Sequence, residues 1–117
     1  MNKLKPPINS HDYYHCHVYF EQETLGFATD LCKKAADLFA LKMGRVHQKA
    51  IGPHPKWSCQ ITFSSADFDP FIAWLEDNRH GLSVLVHALT GNNLQDHTEY
   101  AYWLGDEVEL SLDIFRT

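Results

Sequence analysis

The order in which apolar spacing changes along the chain constrains its fold more than any other feature. Tyr13 to Phe20 reads Tyr-Tyr-His-Cys-His-Val-Tyr-Phe, an alternating, aromatic-rich run that predicts a strand. From Thr24 to Met43 the apolar residues are Leu25, Ala28, Leu31, Cys32, Ala35, Leu38 and Phe39, the spacing of one helical face, with Gly44 as its stop. Arg45 to Ile51 reads as a weaker strand, Gly52-Pro53-His54-Pro55 as a turn, and Trp57 to Phe63 alternates again. Asp69-Pro70 has the form of an N-cap and first helical residue. Phe68, Phe71, Ile72 and Leu75 supply that helix's stripe, Gly81 ends it, and Leu82 to Leu89 is an apolar strand. The sum is β-α-β-β-α-β. That order predicts an α+β fold, a ferredoxin-like antiparallel sheet in the order 4-1-3-2 with both helices on one face. A C-terminal extension follows, with a short helix within Asn92 to Leu104, a break at Gly105, and a late fifth strand carried by Val108, Leu110, Leu112 and Ile114.

The 117 residues suit a single domain over 12–117, preceded by a polar, proline-bearing arm over 1–11. A formal charge of −5 with the ten Lys and Arg residues scattered argues against nucleic acid as a partner, since no basic cluster is present to neutralise phosphates. No apolar run reaches the roughly 18 residues of a membrane span, and the first residues lack the apolar segment of a secretion signal. The expected location is cytoplasmic, with no membrane partner. Cys16, Cys32 and Cys59 lie far apart in sequence and predict no disulfide framework.

Eight histidines are dispersed through the chain, and strand parity says where several of them point. Side chains two apart share a face of a strand. If Tyr14, Cys16, Val18 and Phe20 meet the helices, then Tyr13, His15, His17 and Tyr19 face the open side. The same reasoning puts His87 on the open side, opposite in sense to Val84, Val86 and Ala88, and His47 with Arg45 opposite to Val46. Ser58, Gln60 and Thr62 face the same way. His54, in the turn, can fold over this surface. His15 and His17 sit about 6–7 Å apart along the strand, close enough to share an ion, while Cys16 and Cys59 point away. A set of imidazoles without thiolates favours an N/O metal site. Any one of these histidines also reads as a hydrogen-bonded structural residue; it is their convergence that points to chemistry.

His97, in Asp96-His97-Thr98-Glu99, reads either as an acid-oriented general base or as part of a capping cluster. Tyr13, Tyr19, Tyr100, Tyr102 and Trp103 read either as an aromatic pocket or as core cover. Arg79 and Arg45 read as holders of a substrate carboxylate or as surface residues. Among standard signatures, GxGxxG, a phosphate loop, HExxH and GxSxG are all absent.

Three segments carry a family resemblance: Tyr14-His15-Cys16-His17-Val18-Tyr19-Phe20; Gly52-Pro53-His54-Pro55; and Gly81-Leu82-Ser83-Val84-Leu85-Val86-His87, continuing through Thr90-Gly91 and Asp96-His97-Thr98 to Trp103-Leu104-Gly105. With Trp74-Leu75 and Asn78-Arg79 between them, the chain resembles the DOPA 4,5-dioxygenase-like family of fungi and bacteria over about residues 12 to 115. Ala88 stands where the family pattern has proline. The resemblance implies a ferredoxin-like fold and an extradiol dioxygenase that opens DOPA or a related catechol with O2. It implies a non-haem metal, Fe(II) first and another divalent ion otherwise. On that reading His15, His17 and His87 are the ligands, with His54 as the alternative third. His97 is the acid/base candidate and His47 a weaker one, with Tyr19 and Arg79 at the substrate. Glu21, Asp96 and Glu99 are candidates for a carboxylate ligand. A homodimer is expected. Two other readings stay open on the residues. One is a non-catalytic small-ligand-binding or dimerisation module whose open sheet face meets a second copy. The other is a cofactor-free oxygenase.

Overall fold

The computed structural model describes residues 6–115; residues 1–5 of the expected arm and residues 116–117 of the expected domain lie outside that range. Strands β1 (Tyr13–Phe20), β2 (Lys42–His47), β3 (Trp57–Ser64), β4 (Val84–Ala88) and β5 (Ala101–Leu104) form one antiparallel sheet in the order β2-β3-β1-β4-β5. Helices α1 (Leu25–Phe39) and α2 (Ser65–Asn78) pack on one face, and a single turn, α3 (Asn93–Asp96), leads into β5. The fold is therefore mixed α and β. A fifth strand is present as expected but is formed by Ala101–Leu104, which joins the sheet at the edge beside β4. No helix among the described residues is long and apolar enough to cross a membrane.

The helix-side core follows from parity. Tyr14, Cys16, Val18 and Phe20 of β1, Cys59, Ile61 and Phe63 of β3, and Val84, Val86 and Ala88 of β4 are buried against Leu31 and Cys32 of α1 and Phe71 and Leu75 of α2. Each large apolar side chain buried there is worth roughly 1.5–3 kcal/mol. Tyr14 also anchors the end of the arm: its hydroxyl accepts the N–H groups of Ser10 and His11, both at 2.7 Å.

Three expectations are corrected. Helix α1 ends at Phe39, well before Gly44, because Ala40 turns left-handed (φ 54°, ψ 47°) and returns its N–H to the Ala36 carbonyl. Gly44 instead lies in β2 at an irregularity in the pairing with β3, where a side chain would press on Gln60 at 3.4 Å. Helix α2 starts at Ser65 with Ser64 as its N-cap, so Pro70 sits inside the helix rather than at its first position. Proline there removes one backbone donor, and the burial of Phe68, Phe71 and Leu75 offsets the loss. Finally, Val108 to Ile114 forms no strand: it runs as irregular chain into a 3-10 turn at Leu112–Phe115, and the fifth strand is Ala101–Leu104.

A left-handed alanine carries a steric cost of about 1–2 kcal/mol, against roughly 0.5–1 kcal/mol of chain entropy that glycine would add. Ala40→Gly is therefore expected to raise the unfolding free energy by about 0.5–1 kcal/mol in a urea titration. A lower stability would show that the Ala40 methyl packs usefully.

Candidate metal centre

The site is built outward from β1. Its register sets His15 opposite Thr62 of β3 and His87 of β4, and His17 opposite Gln60 and Leu85. Because the apolar row of β1 is locked against the helices, His15 and His17 must emerge on the other face, and His87 joins them by direct pairing. One ring nitrogen from each of His15, His17 and His87 lies within 4.8 Å of the other two. The Nε2 atoms of His17 and His87 are 3.0 Å apart. The His15 ring stands edge-on to both, 5.8 Å from His17 and 5.4 Å from His87 between centroids.

Two further histidines border this group from loops. His54 lies in a turn closed by its N–H to the Ile51 carbonyl, at 3.0 Å, with Gly52 left-handed at φ 57°. Its ring is 4.0 Å from that of His17, and its Nδ1 is 2.7 Å from the Tyr19 hydroxyl. His97 follows α3; its ring is 4.1 Å from His87 and its Nδ1 is 2.7 Å from the Asn93 carbonyl. His47 ends β2 opposite Ser58 on the same face, half-buried, outside the stack of rings.

The cluster is held neutral by its surroundings. Burial pushes His87 down to about 3 and His54 down to about 4, with the charge His97 would carry as the next cause in each case. Burial puts His17 well below the ordinary histidine value, reinforced first by His54. His15 and His97 are also lowered, again chiefly by burial. Neutral imidazoles present lone pairs, which is the state a metal requires. The donor set fits a divalent ion. Moreover His87 donates Nδ1–H to the Ala88 carbonyl at 2.9 Å, the backbone tether that orients a ligating imidazole.

Other expected participants are elsewhere. The carboxylate of Asp96 is buried but engaged, accepting from the Thr90 amide at 2.9 Å and its hydroxyl at 2.6 Å. Glu21 and Glu99 are exposed, Glu21 facing Lys56 at 4.0 Å. Arg79 hydrogen-bonds Glu76 at 2.8 Å and the Leu82 carbonyl at 3.2 Å. Leu82 is five residues before His87, roughly 16 Å away along the chain direction, so Arg79 is not brought to the histidines. Of the expected aromatic set, Tyr19 and Trp103 share the open face, while Tyr102 is buried on the helix side and Tyr13 is exposed.

What sequence reasoning missed is the role of the C-terminal segment. Val108 and Leu110 pack on Tyr19, Leu85, Ala101 and Trp103, and the Ser111 amide donates to the Pro53 carbonyl at 2.8 Å. Between this segment and β5 opens a cleft of about 790 Å³ walled by His97, Ala101, Trp103 and Val108. Gln60, which parity puts on the open face, has its amide 3.4 Å from His15 Nε2.

A sequence profile described as the Dopa 4,5-dioxygenase family matches residues 14–114. A DOPA 4,5-dioxygenase of Amanita muscaria is 32% identical over 85% of this chain, which spans only 47% of that protein. An uncharacterized 21.2 kDa protein of Botryotinia fuckeliana is 33% identical over 97% of this chain and 70% of its own length. The solved structure of a "putative dioxygenase" from Nostoc punctiforme superposes with a TM-score of 0.87 at 37% identity, covering 91% of this chain and 92% of that one.

The depressed histidines make stability depend on pH. Unfolded imidazoles take up protons below about pH 6.5, whereas His87 and His54 stay neutral in the fold until about 3 and 4. The unfolded chain thus binds more protons in that window, so stability rises with pH across it and is lost as pH falls from 6.5. Each such group adds a slope of up to about 1.4 kcal/mol per pH unit. Denaturant titrations between pH 7 and 4 are expected to show this, and His87→Gln is expected to remove about one proton's share. An unchanged slope in H87Q would contradict a buried, neutral His87.

Proposed function

The chain belongs to the Dopa 4,5-dioxygenase family, and from that premise we propose that it is an extradiol dioxygenase opening DOPA or a related catechol with O2. The observation that carries the reading is the convergence of His15, His17 and His87, with ligand nitrogens mutually within 4.8 Å, in a neutral, largely buried group. These three residues would hold the metal, iron(II) by preference. Such an ion, when bound, would supply Lewis-acid activation of the catechol hydroxyls and the electrons that activate O2.

The chain's own residues supply the rest. The strands fix the three ligands on a rigid sheet, which limits their reorganisation. Trp103 and Ala101, walling the cleft beside His97, offer a flat apolar surface for an aromatic ring. His97, whose Nδ1 is engaged by the Asn93 carbonyl, would accept a hydrogen bond from a catechol hydroxyl through Nε2. His47, farther out, is a weaker candidate for proton exchange. The C-terminal segment, tied to the His54 turn through Ser111 and Pro53, forms the other wall of that cleft.

The dimerisation alternative loses its main argument, because the apolar half of the open face is already covered by Val108 and Leu110 of the same chain.

The test is oxygen consumption with DOPA and simpler catechols, comparing protein loaded anaerobically with iron(II) and a chelated control. Iron-dependent uptake with a yellow ring-opened product is expected. His15→Ala and His87→Ala should each lower kcat/KM more than the roughly 10–100-fold that loss of an outer-shell partner costs, with the circular dichroism spectrum retained. Full activity in either variant would overturn the ligand assignment. No uptake and no retained iron would move the assignment to a binding module.

A further inference from the structure

We infer that the two loop histidines bordering the three-imidazole group are locked in opposite tautomers, so that His97 offers a lone pair and His54 an N–H, making His54 a hydrogen-bond donor to the substrate rather than a fourth ligand. The tautomers follow from hydrogen bonding alone; the role toward substrate rests on the dioxygenase reading above.

A neutral imidazole carries one N–H and one lone pair, and whichever partner one nitrogen finds decides what the other can do. At His97 the partner of Nδ1 is the Asn93 carbonyl, at 2.7 Å. A carbonyl only accepts. Nδ1 therefore bears the hydrogen and Nε2 is an acceptor. His87 is fixed the same way by the Ala88 carbonyl at 2.9 Å, which turns its Nε2 lone pair toward His17 at 3.0 Å. His17 must then carry its hydrogen on Nε2 until an ion displaces it.

His54 is different because its Nδ1 meets a hydroxyl. The Tyr19 oxygen at 2.7 Å can donate or accept, so two arrangements have to be weighed. Tyr19 is 2% exposed, and among the described residues its hydroxyl has no other hydrogen-bond partner. Were His54 to donate through Nδ1, the phenolic hydrogen would be left buried without an acceptor, a cost of about 1–3 kcal/mol. The arrangement that satisfies both groups has Tyr19 donating to Nδ1. That occupies the His54 lone pair and places its hydrogen on Nε2, on the far side of the ring from Tyr19.

A ligand needs the lone pair that His54 has already given to Tyr19. Geometry agrees, since the group whose nitrogens lie mutually within 4.8 Å contains His15, His17 and His87 but not His54. The turn resists rearrangement: its backbone is closed by the His54 amide on the Ile51 carbonyl and clamped from outside by the Ser111 amide on the Pro53 carbonyl. A catechol losing a hydroxyl proton needs an acceptor for the hydroxyl and a donor for the oxygen that becomes negative. His97 and His54 present one of each. Tyr19 acts through His54 and is a positioning residue.

The experiment is a long-range 1H–15N correlation of histidine side chains in the 15N-labelled full chain near pH 7.5, with zinc(II) as the metal probe. His54 is expected to show the Nε2–H pattern, and His87 and His97 the Nδ1–H pattern. Tyr19→Phe should move His54 toward the Nδ1–H form, a change that loss of packing alone would not cause. Zinc should perturb His15, His17 and His87 while leaving the His54 tautomer unchanged. In a zinc titration His54→Ala should keep one equivalent with affinity within about threefold, where His87→Ala loses at least about tenfold. An Nδ1–H pattern at His54, or a zinc defect in H54A as large as that in H87A, would overturn the inference. Failure of the wild-type chain to bind zinc would count against the metal reading; the tautomer pattern would still decide this one.

Discussion

The pairing of β1 with β4 is the constraint on which the rest depends. β1 is hydrogen-bonded along both edges, to β3 and to β4, and its register with β4 sets His15 opposite His87 and Cys16 opposite Val86. A slip of one residue would turn every side chain of the strand over, burying histidines under the helices and exposing Tyr14, Cys16, Val18 and Phe20. The apolar row excludes that. The hydrophobic core on one face thus selects the register that assembles the imidazoles on the other. Stability and site geometry are two consequences of the same pairing.

Burying imidazoles is costly unless each finds a hydrogen-bond partner. Here the partners are the backbone carbonyls of Ala88 and Asn93, the Tyr19 hydroxyl, the Gln60 amide and the histidines themselves. Among the described residues no carboxylate enters the cluster; the buried one, Asp96, is spent on Thr90. A site built this way keeps its histidines neutral chiefly by desolvation, with the charge its neighbouring histidines would carry as the next cause. An ion bound to neutral ligands retains its full charge, which favours an anionic bidentate partner such as a catecholate. The proposed chemistry and the composition of the site are consistent on this point.

The sequence made the central strand legible because its alternation is strong and its apolar partners are large. The helix stripes were equally clear, since burial of Leu31, Cys32, Phe71 and Leu75 follows the helical period. β5 escaped notice because Ala101, Tyr102, Trp103 and Leu104 are all buried, so no polar alternation marks the strand. Val108 to Ile114 alternates yet forms no strand: Val108 and Leu110 are used to cover Tyr19 and Trp103 instead of extending the sheet. The stop of α1 was misplaced because a left-handed cap is expected of glycine and here falls on Ala40. Parity found His15, His17 and His87 and could not find the reach of His97, which depends on the single turn of α3.

The covering of the open face also explains why the site has room. Tyr19, Leu85 and Trp103 lie on the same face as the histidines and would, uncovered, leave an apolar patch of the kind that recruits another surface. The C-terminal segment occupies that half and is anchored to the His54 turn through Ser111 and Pro53. The histidine half is left bordering the cleft at His97. One sheet face is thus divided into an apolar part covered by the chain's own C-terminal segment and an imidazole part that meets the cleft at His97. The same anchoring joins the cover to the turn that holds His54, so movement of the segment would be felt at the Tyr19–His54 hydrogen bond before it reached the three strand-borne histidines.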